Sequence, residues 1–231
     1  MGKGAIRMSR DEIIIHIDDR QQICVEIKEN GIIQAKNIDA KTLAACLTQG
    51  IIEMEAGFSS GFLPEGTIWI EEKKGLRRIL LEYASPTANW RYGDILYEGF
   101  PLPRLLFGFC LTNIGRICHM AVGIPDSGEL SMDTAMFLWP FSNVYRDNQV
   151  CLGNNTLPLL QSLTHLQDAA RFFLTLPNNN DLYVQQNNRL GLPYPELLHH
   201  LKDKDRQYYY DHILVPSGAT LQQFLGGLRN G

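Results

Sequence analysis

Cys151 is the residue of this chain best suited to covalent chemistry. It stands in a short apolar pinch, Val150-Cys151-Leu152, near the end of a turn-rich stretch, residues 139–154. Pro140, Asn143, Asp147 and Asn148 break up any hydrophobic periodicity there. A long irregular segment between regular elements is a common seat of binding and catalytic side chains. A cysteine in such a place acts as a nucleophile when its thiolate is accessible. The opposing reading is a cysteine buried as a small apolar residue, the usual fate of a free thiol. Cys24, Cys46, Cys110 and Cys118 all fall inside apolar strand or helix patterns and read as core.

The remaining polar candidates narrow the chemistry. No histidine stands near enough in sequence to pair with Cys151 by a recognised signature. His119 falls on an expected strand and His165 on an expected helix, and each reads as a core or surface residue. A cysteine protease or amidase needs a Cys-His pair, so the pattern counts against one. His199 and His200 are adjacent, and successive helical side chains point about 100° apart, so they do not chelate together. The cysteines number five, an odd count, and no Cys-x-x-Cys pair occurs, which argues against a zinc site or a disulfide scaffold. No metal and no cofactor is expected. On local grounds Asn143 and Asp147 are turn residues that cap nearby backbone.

Composition sets outer limits. A chain of 231 residues is long enough for one sizeable domain or a domain with an appendage. An apolar fraction of 45% and a charged fraction of 20% are those of a globular protein that buries a core. The net charge of −4 argues against a general nucleic-acid surface. No apolar run approaches the ~20 residues that a membrane helix needs, and the N-terminal residues lack the apolar core of a leader. A cytoplasmic protein with no nucleic-acid or membrane partner is the expectation.

The elements that must position Cys151 are mostly strands. Ile13–Ile17 and Ile23–Ile27 predict two strands, and Asn30-Gly31 predicts a hairpin turn into Ile32-Ile33. Asp39 is placed to cap a helix over 40–52. Thr67–Glu71 and Arg77–Tyr83 predict two strands around Lys73-Lys74-Gly75. Residues 86–103 read as irregular. Leu105–Leu111 and Gly115–Val122 predict two further strands, with Phe107, Phe109 and Leu111 on one face. The result is a four-strand antiparallel meander over 67–122. A helix over 158–174, capped by Thr156, is expected to pack beside it. Another short helix should begin at Pro195, Tyr208-Tyr209-Tyr210 should be a short strand or extended packing segment, and a terminal helix should cover 221–228.

These residues carry a resemblance. In ubiquitin-conjugating enzymes a His-Pro-Asn tripeptide precedes an irregular flap and a catalytic cysteine followed by leucine, with the asparagine eight positions before the cysteine. Here Asn143-Val144-Tyr145 leads to Cys151-Leu152 at that spacing, after a meander whose third strand is entered through Pro101-Leu102-Pro103. The stretch over residues 62–183 resembles most the bacterial branch called prokaryotic ubiquitin-conjugating-enzyme family D, which includes protein B of the PRTRC plasmid systems. One departure is that Phe141-Ser142 stands where the eukaryotic enzymes have His-Pro.

The resemblance implies an α+β, UBC-like fold: an antiparallel meander, a cysteine flap and packed helices over 56–231, with residues 1–55 an N-terminal extension. It implies a transferase. Cys151 would accept a ubiquitin-like protein as a thioester from a ThiF-like adenylating activating enzyme and pass it to a target amine. Asn143 would bond to flap backbone and donate to the oxyanion of the tetrahedral intermediate, a contribution worth ~3 kcal/mol for one such donor. Asp147 would assist an incoming lysine. The alternative is the same fold without catalysis, as a module that binds a ubiquitin-like protein or a plasmid or defence-system partner.

Overall fold

The computed structural model describes the chain except for residues 1–4, 8–11, 19–21, 30–31, 56–61, 74–75, 113–114, 158–159, 161 and 229–231. The chain forms two compact units, residues 1–60 and residues 61–231. The elements are mixed helix and antiparallel sheet, an α+β arrangement. No described helix is long and apolar enough to cross a membrane.

The first unit is a sheet of four sequential strands followed by a helix. The strands are β1 (Ala5–Arg7), β2 (Glu12–Ile17), β3 (Ile23–Glu29) and β4 (Ile32–Ile38), and the helix is α1 (Ala40–Glu55). β3 and β4 pair in register from Glu29↔Ile32, the geometry of a two-residue hairpin. The turn residues themselves, Asn30 and Gly31, lie outside the described residues. Asp39 caps α1: its Oδ1 accepts the Thr42 N–H at 2.6 Å. That bond holds the Asp39 carboxyl below its ordinary pKa.

The second unit is built on a six-stranded antiparallel sheet. The expected meander is present as β5 (Thr67–Lys73), β6 (Leu76–Glu82), β9 (Leu106–Thr112) and β10 (Ile117–Pro125), adjacent in that order. Two strands not foreseen extend it beyond β10: β11 (Ala135–Phe137) and β12 (Pro216–Thr220). Residues 86–103 are not irregular. They hold a separate hairpin, β7 (Thr87–Tyr92) and β8 (Ile95–Pro101). Gly93-Asp94 makes its turn, with Gly93 at φ 54°, a left-handed value that glycine adopts at no steric cost.

One face of the sheet carries Ile79, Leu81, Phe107, Phe109, Leu111, Met120 and Val122 into the main core. Burying each of these side chains contributes roughly 1.5–3 kcal/mol before entropy is counted. The helix on that side, α2 (Leu166–Thr175), buries Leu166, Ala169, Ala170, Phe173 and Leu174. The Phe173 ring meets Phe107 edge-on at 6.1 Å. α2 starts later than 158, because the preceding chain is engaged elsewhere: the Leu160 N–H donates to the Gly115 carbonyl at 3.2 Å. Ser162, not Thr156, caps the 3-10 turn Leu163–His165 that leads into α2.

The remaining helices are α3 (Tyr194–Leu201), α4 (Arg206–Tyr208) and α5 (Leu221–Gly227). Tyr208-Tyr209-Tyr210 is helical, not extended. Asp205 caps α4 through the Tyr208 N–H, and a π-helical turn continues over Tyr209–Ile213. This coiling sends the buried Tyr209 hydroxyl to the Pro101 carbonyl at 2.7 Å. α5 begins in a capping box of Thr220 and Gln223 and covers the opposite face of the sheet, over Leu80, Leu106 and Ala121.

Candidate functional site

The spacing of Asn143 and Cys151 is the span of a tight hairpin. The Cys151 N–H donates to the Asn143 carbonyl at 2.7 Å and closes its base. Tyr145 N–H to Gln149 O at 2.9 Å and Asn148 N–H to Tyr145 O at 3.0 Å close its tip. Asn143 and Asn148 have φ of 62° and 69°, the left-handed region that asparagine tolerates better than most side chains. The hairpin is then laid along β10: Val150 N–H reaches Met120 O, and Val122 N–H reaches Asn148 O, each at 3.0 Å. β11 pairs with β10 only at Ile124 and Pro125, so the hairpin covers the edge that β11 leaves open.

Aromatic packing fixes the approach to the hairpin. Phe141 is buried, with its ring 4.9 Å from Trp90 and 5.2 Å from Trp139. Ser142 is fully buried and donates to the Asp181 carbonyl at 2.8 Å. Positions 141 and 142 are core positions. A charged or bulky polar side chain at 141 would lose its partners in that aromatic cluster.

Cys151 is half-buried and opens onto a cleft of about 390 Å³. Asn143, Tyr145, Leu152, Pro177 and Asp181 line it as well. The Asn143 amide does not bond to flap backbone as expected. Its Nδ2 donates to the Pro177 carbonyl at 3.0 Å, on the loop after α2. An amide nitrogen has two N–H groups, so this bond orients the group and leaves a second donor. The loop is itself held in place. Asn178 is buried, its N–H donates to Arg91 O at 2.8 Å, and its Oδ1 accepts the Tyr194 hydroxyl at 3.0 Å. Trp90 Nε1 donates to that same hydroxyl at 3.1 Å. The chain Trp90–Tyr194–Asn178 thus sets the height of the Pro177 carbonyl and, through it, the Asn143 amide.

Two cleft residues were not singled out from sequence. The Tyr145 hydroxyl donates to the Cys151 sulfur at 3.4 Å, which holds the phenol above its ordinary pKa. Tyr145 lies two positions after Asn143 in the chain, and nothing in the sequence signals its contact with the sulfur. Asp181 brings a carboxylate to the cleft, and its side chain accepts from Asn179 Nδ2 at 2.9 Å. The run Asn178-Asn179-Asn180-Asp181 signals only a helix stop in sequence, and nothing in it points to Cys151. Asp147 lies elsewhere, on the hairpin tip, where its Oδ1 accepts the Gln149 N–H at 3.1 Å. It is a turn aspartate and does not line the cleft.

The histidines do not join the site. His119 is buried on β10, where burial lowers its pKa against the opposing pull of Asp147. His165 lies 3.4 Å from Asp168 on the α2 surface. His200 contacts the Tyr208 hydroxyl at 2.8 Å, and no cluster of metal-binding side chains forms among the described residues.

The other cysteines divide differently from the expectation of a uniform core. Cys110 is buried, and burial pushes its thiol up to about 11. Cys24 is half-buried, whereas Cys46 and Cys118 are exposed. Cys118 falls at a register shift between β9 and β10, which turns it outward, and its thiol donates to the Cys110 carbonyl at 3.2 Å. Cys151 differs from these in having a cleft lined by an oriented amide, a phenol and a carboxylate. No family model, curated protein or solved structure matches the chain.

Proposed function

We propose that this protein is a ubiquitin-conjugating-enzyme-like transferase that carries a ubiquitin-like protein as a thioester on Cys151. The observation that carries the reading is the cleft itself: an accessible cysteine with the Asn143 amide fixed at its lip by Pro177. The order of meander, cysteine hairpin and following helix supports a UBC-like core in residues 61–231. In the reaction, Cys151 attacks the carrier's activated C-terminal carbonyl, forms the C–S bond and expels the adenylate. A target amine then attacks the thioester carbonyl, and the thiolate leaves. The second N–H of Asn143 is available to the oxyanion of that second step. Asp181, rather than Asp147, is the carboxylate positioned to attract and orient the incoming ammonium group.

A second reading is a binding module of the same fold that holds a ubiquitin-like protein without chemistry. It draws on Phe141 and Ser142, which serve the core instead of supplying the family's His-Pro. A charging assay with the cognate activating enzyme, carrier and ATP separates the two. The transferase forms an adduct that a thiol reductant cleaves. Cys151→Ala abolishes it, and Cys151→Ser replaces it with a slower-forming, reductant-resistant ester. Cys46→Ala and Cys118→Ala, the two exposed alternatives, leave it intact. An adduct that persists in Cys151→Ala refutes the assignment, and carrier binding without any adduct establishes the module.

A further inference from the structure

A second cleft in residues 61–231, of about 530 Å³, shares no residue with the cleft at Cys151. Glu82, Arg104, Ser127, Gly128, Arg206 and Tyr210 line it. Arg104 is largely committed. Its Nε and Nη2 fork onto the Glu82 carboxylate at 3.0 and 2.8 Å, and its Nη1 donates to the Gly128 carbonyl at 2.7 Å. Glu82 therefore neutralises Arg104. Arg206 is different. It opens α4, and its Nε is shielded from solvent yet has no hydrogen-bond partner. No carboxylate among the described residues lies within ion-pair distance of its guanidinium.

Tyr210 lines the cleft together with the two arginines. Its hydroxyl donates to the Pro125 carbonyl at 3.1 Å. Burial raises the phenol's pKa and the Asp126 charge adds to the rise, while a hydrogen bond from the Arg104 backbone and the charges of Arg206 and Arg104 pull against it. The charged side chains lining the cleft are two arginines and one glutamate, and Asp126 stands beside it, its Oδ1 accepting the Ser127 N–H at 2.8 Å. Arg206 lines the cleft with no carboxylate of the described residues in ion-pair reach, and an arginine fork matches a planar carboxylate with paired donors.

We propose that this cleft is a binding site for a carboxylate, gripped by Arg206 with help from the remaining N–H groups of Arg104 and the Ser127 hydroxyl. With Arg104 answered by Glu82 and Asp126 adjoining Ser127, the cleft suits a monoanion better than a phosphate dianion. The volume falls in the range of small-molecule sites and exceeds what a bare carboxylate fills, so the group is the handle of a larger molecule. A peptide C-terminus and a free organic acid share that chemistry.

The test follows the Arg206 Nε–H resonance in nitrogen-15 spectra of the full chain. Acetate, inorganic phosphate, benzoate, and trialanine with a free or an amidated C-terminus are titrated separately, with chloride as the ionic-strength control. The expected result is a saturable shift with acetate, a tighter one with benzoate or free trialanine, and at least about tenfold weaker binding of the amidated peptide. Whichever of the last two acids binds tighter identifies the source. Read from the Arg104 Nε–H resonance, which both variants keep, Arg206→Gln should weaken binding by about tenfold or more, and Arg206→Lys should fall between, because it keeps the charge and loses the fork. Chloride matching acetate, phosphate outcompeting acetate, or unchanged affinity in Arg206→Gln each overturns the proposal.

Discussion

The Tyr145 hydroxyl donates a hydrogen bond to the Cys151 sulfur at 3.4 Å, across the tip of the hairpin that joins them. The sulfur is therefore held from two sides: by its own backbone, tied to Asn143, and by a phenol from the opposite strand of the hairpin. The bond, with the nearby charges of Cys151 and Asp147, raises the energy of the tyrosinate form. Cys151→Ala removes the largest of these influences. The Tyr145 phenol should then titrate closer to its ordinary value, read from the carbon-13 shift of its Cζ during an alkaline titration. An unmoved titration midpoint would mean that the phenol does not rest on the sulfur.

Asn143 combines two demands that substitution can separate. Its backbone sits in the left-handed region, and its amide tethers the loop after α2. Asn143→Ala should lose stability on both counts, by about 1–2 kcal/mol in urea denaturation. Asn143→Gly deletes the same side chain but relieves the backbone, so its loss should be smaller. If the amide also serves the oxyanion, both variants should charge with carrier yet discharge slowly to lysine, by roughly 10²-fold. Equal discharge rates in Asn143→Gly and the parent would confine Asn143 to a structural role.

The sheet is legible because its central strands are short, nearly continuous apolar runs bounded by polar turns, as expected of strands buried on both faces. Phe107, Phe109 and Leu111 share a face, and the core takes up that face. The hairpin at Gly93-Asp94 carried an equally local signal, since two residues of that type between Tyr92 and Ile95 make a tight turn. It was obscured by the prolines at 86, 101 and 103. Tyr208-Tyr209-Tyr210 misleads for another reason. Aromatic runs favour strands, but the Asp205 cap and the reach of Tyr209 to Pro101 select a coil of helix. β11 spans three residues, too few for any period to show. Within the site, Asn143 and Cys151 were visible as a spacing. Asp181 was not, because a loop after α2 brings it to the cleft through space.

His119 gives the second unit a dependence on pH. Burial favours the neutral imidazole and lowers its pKa in the folded chain. The unfolded chain then binds a proton at a higher pH than the folded chain does. The stability tied to neutral His119 is complete above the ordinary value of 6.5 and is lost as the pH falls through it toward the folded value. His119→Gln removes the titration while keeping a polar side chain. Urea midpoints measured between about pH 8 and pH 5 should fall less steeply for the variant. Parallel profiles for variant and parent would assign the acid sensitivity to other groups.

The docking of α5 depends on the absence of side chains beneath it. A Cβ built on Gly108 would lie 2.6 Å from Leu228 Cδ1 and 2.8 Å from Leu228 Cδ2. Leu228 is 1% exposed, so it has no open space into which to swing. On Gly123 a Cβ would meet Met136 Cε at 2.6 Å and the Phe224 ring at 2.9 Å. Each glycine→alanine change should therefore cost about 1–3 kcal/mol as overpacking. Leu228→Ala alone should cost about 2–5 kcal/mol through the cavity it leaves. In Gly108→Ala/Leu228→Ala the new methyl enters space that the leucine has vacated, so the double variant should be more stable than the sum of the two losses allows. A coupling of about 1 kcal/mol or more in a double-mutant cycle marks direct contact. Strict additivity would place α5 away from the sheet face at Gly108.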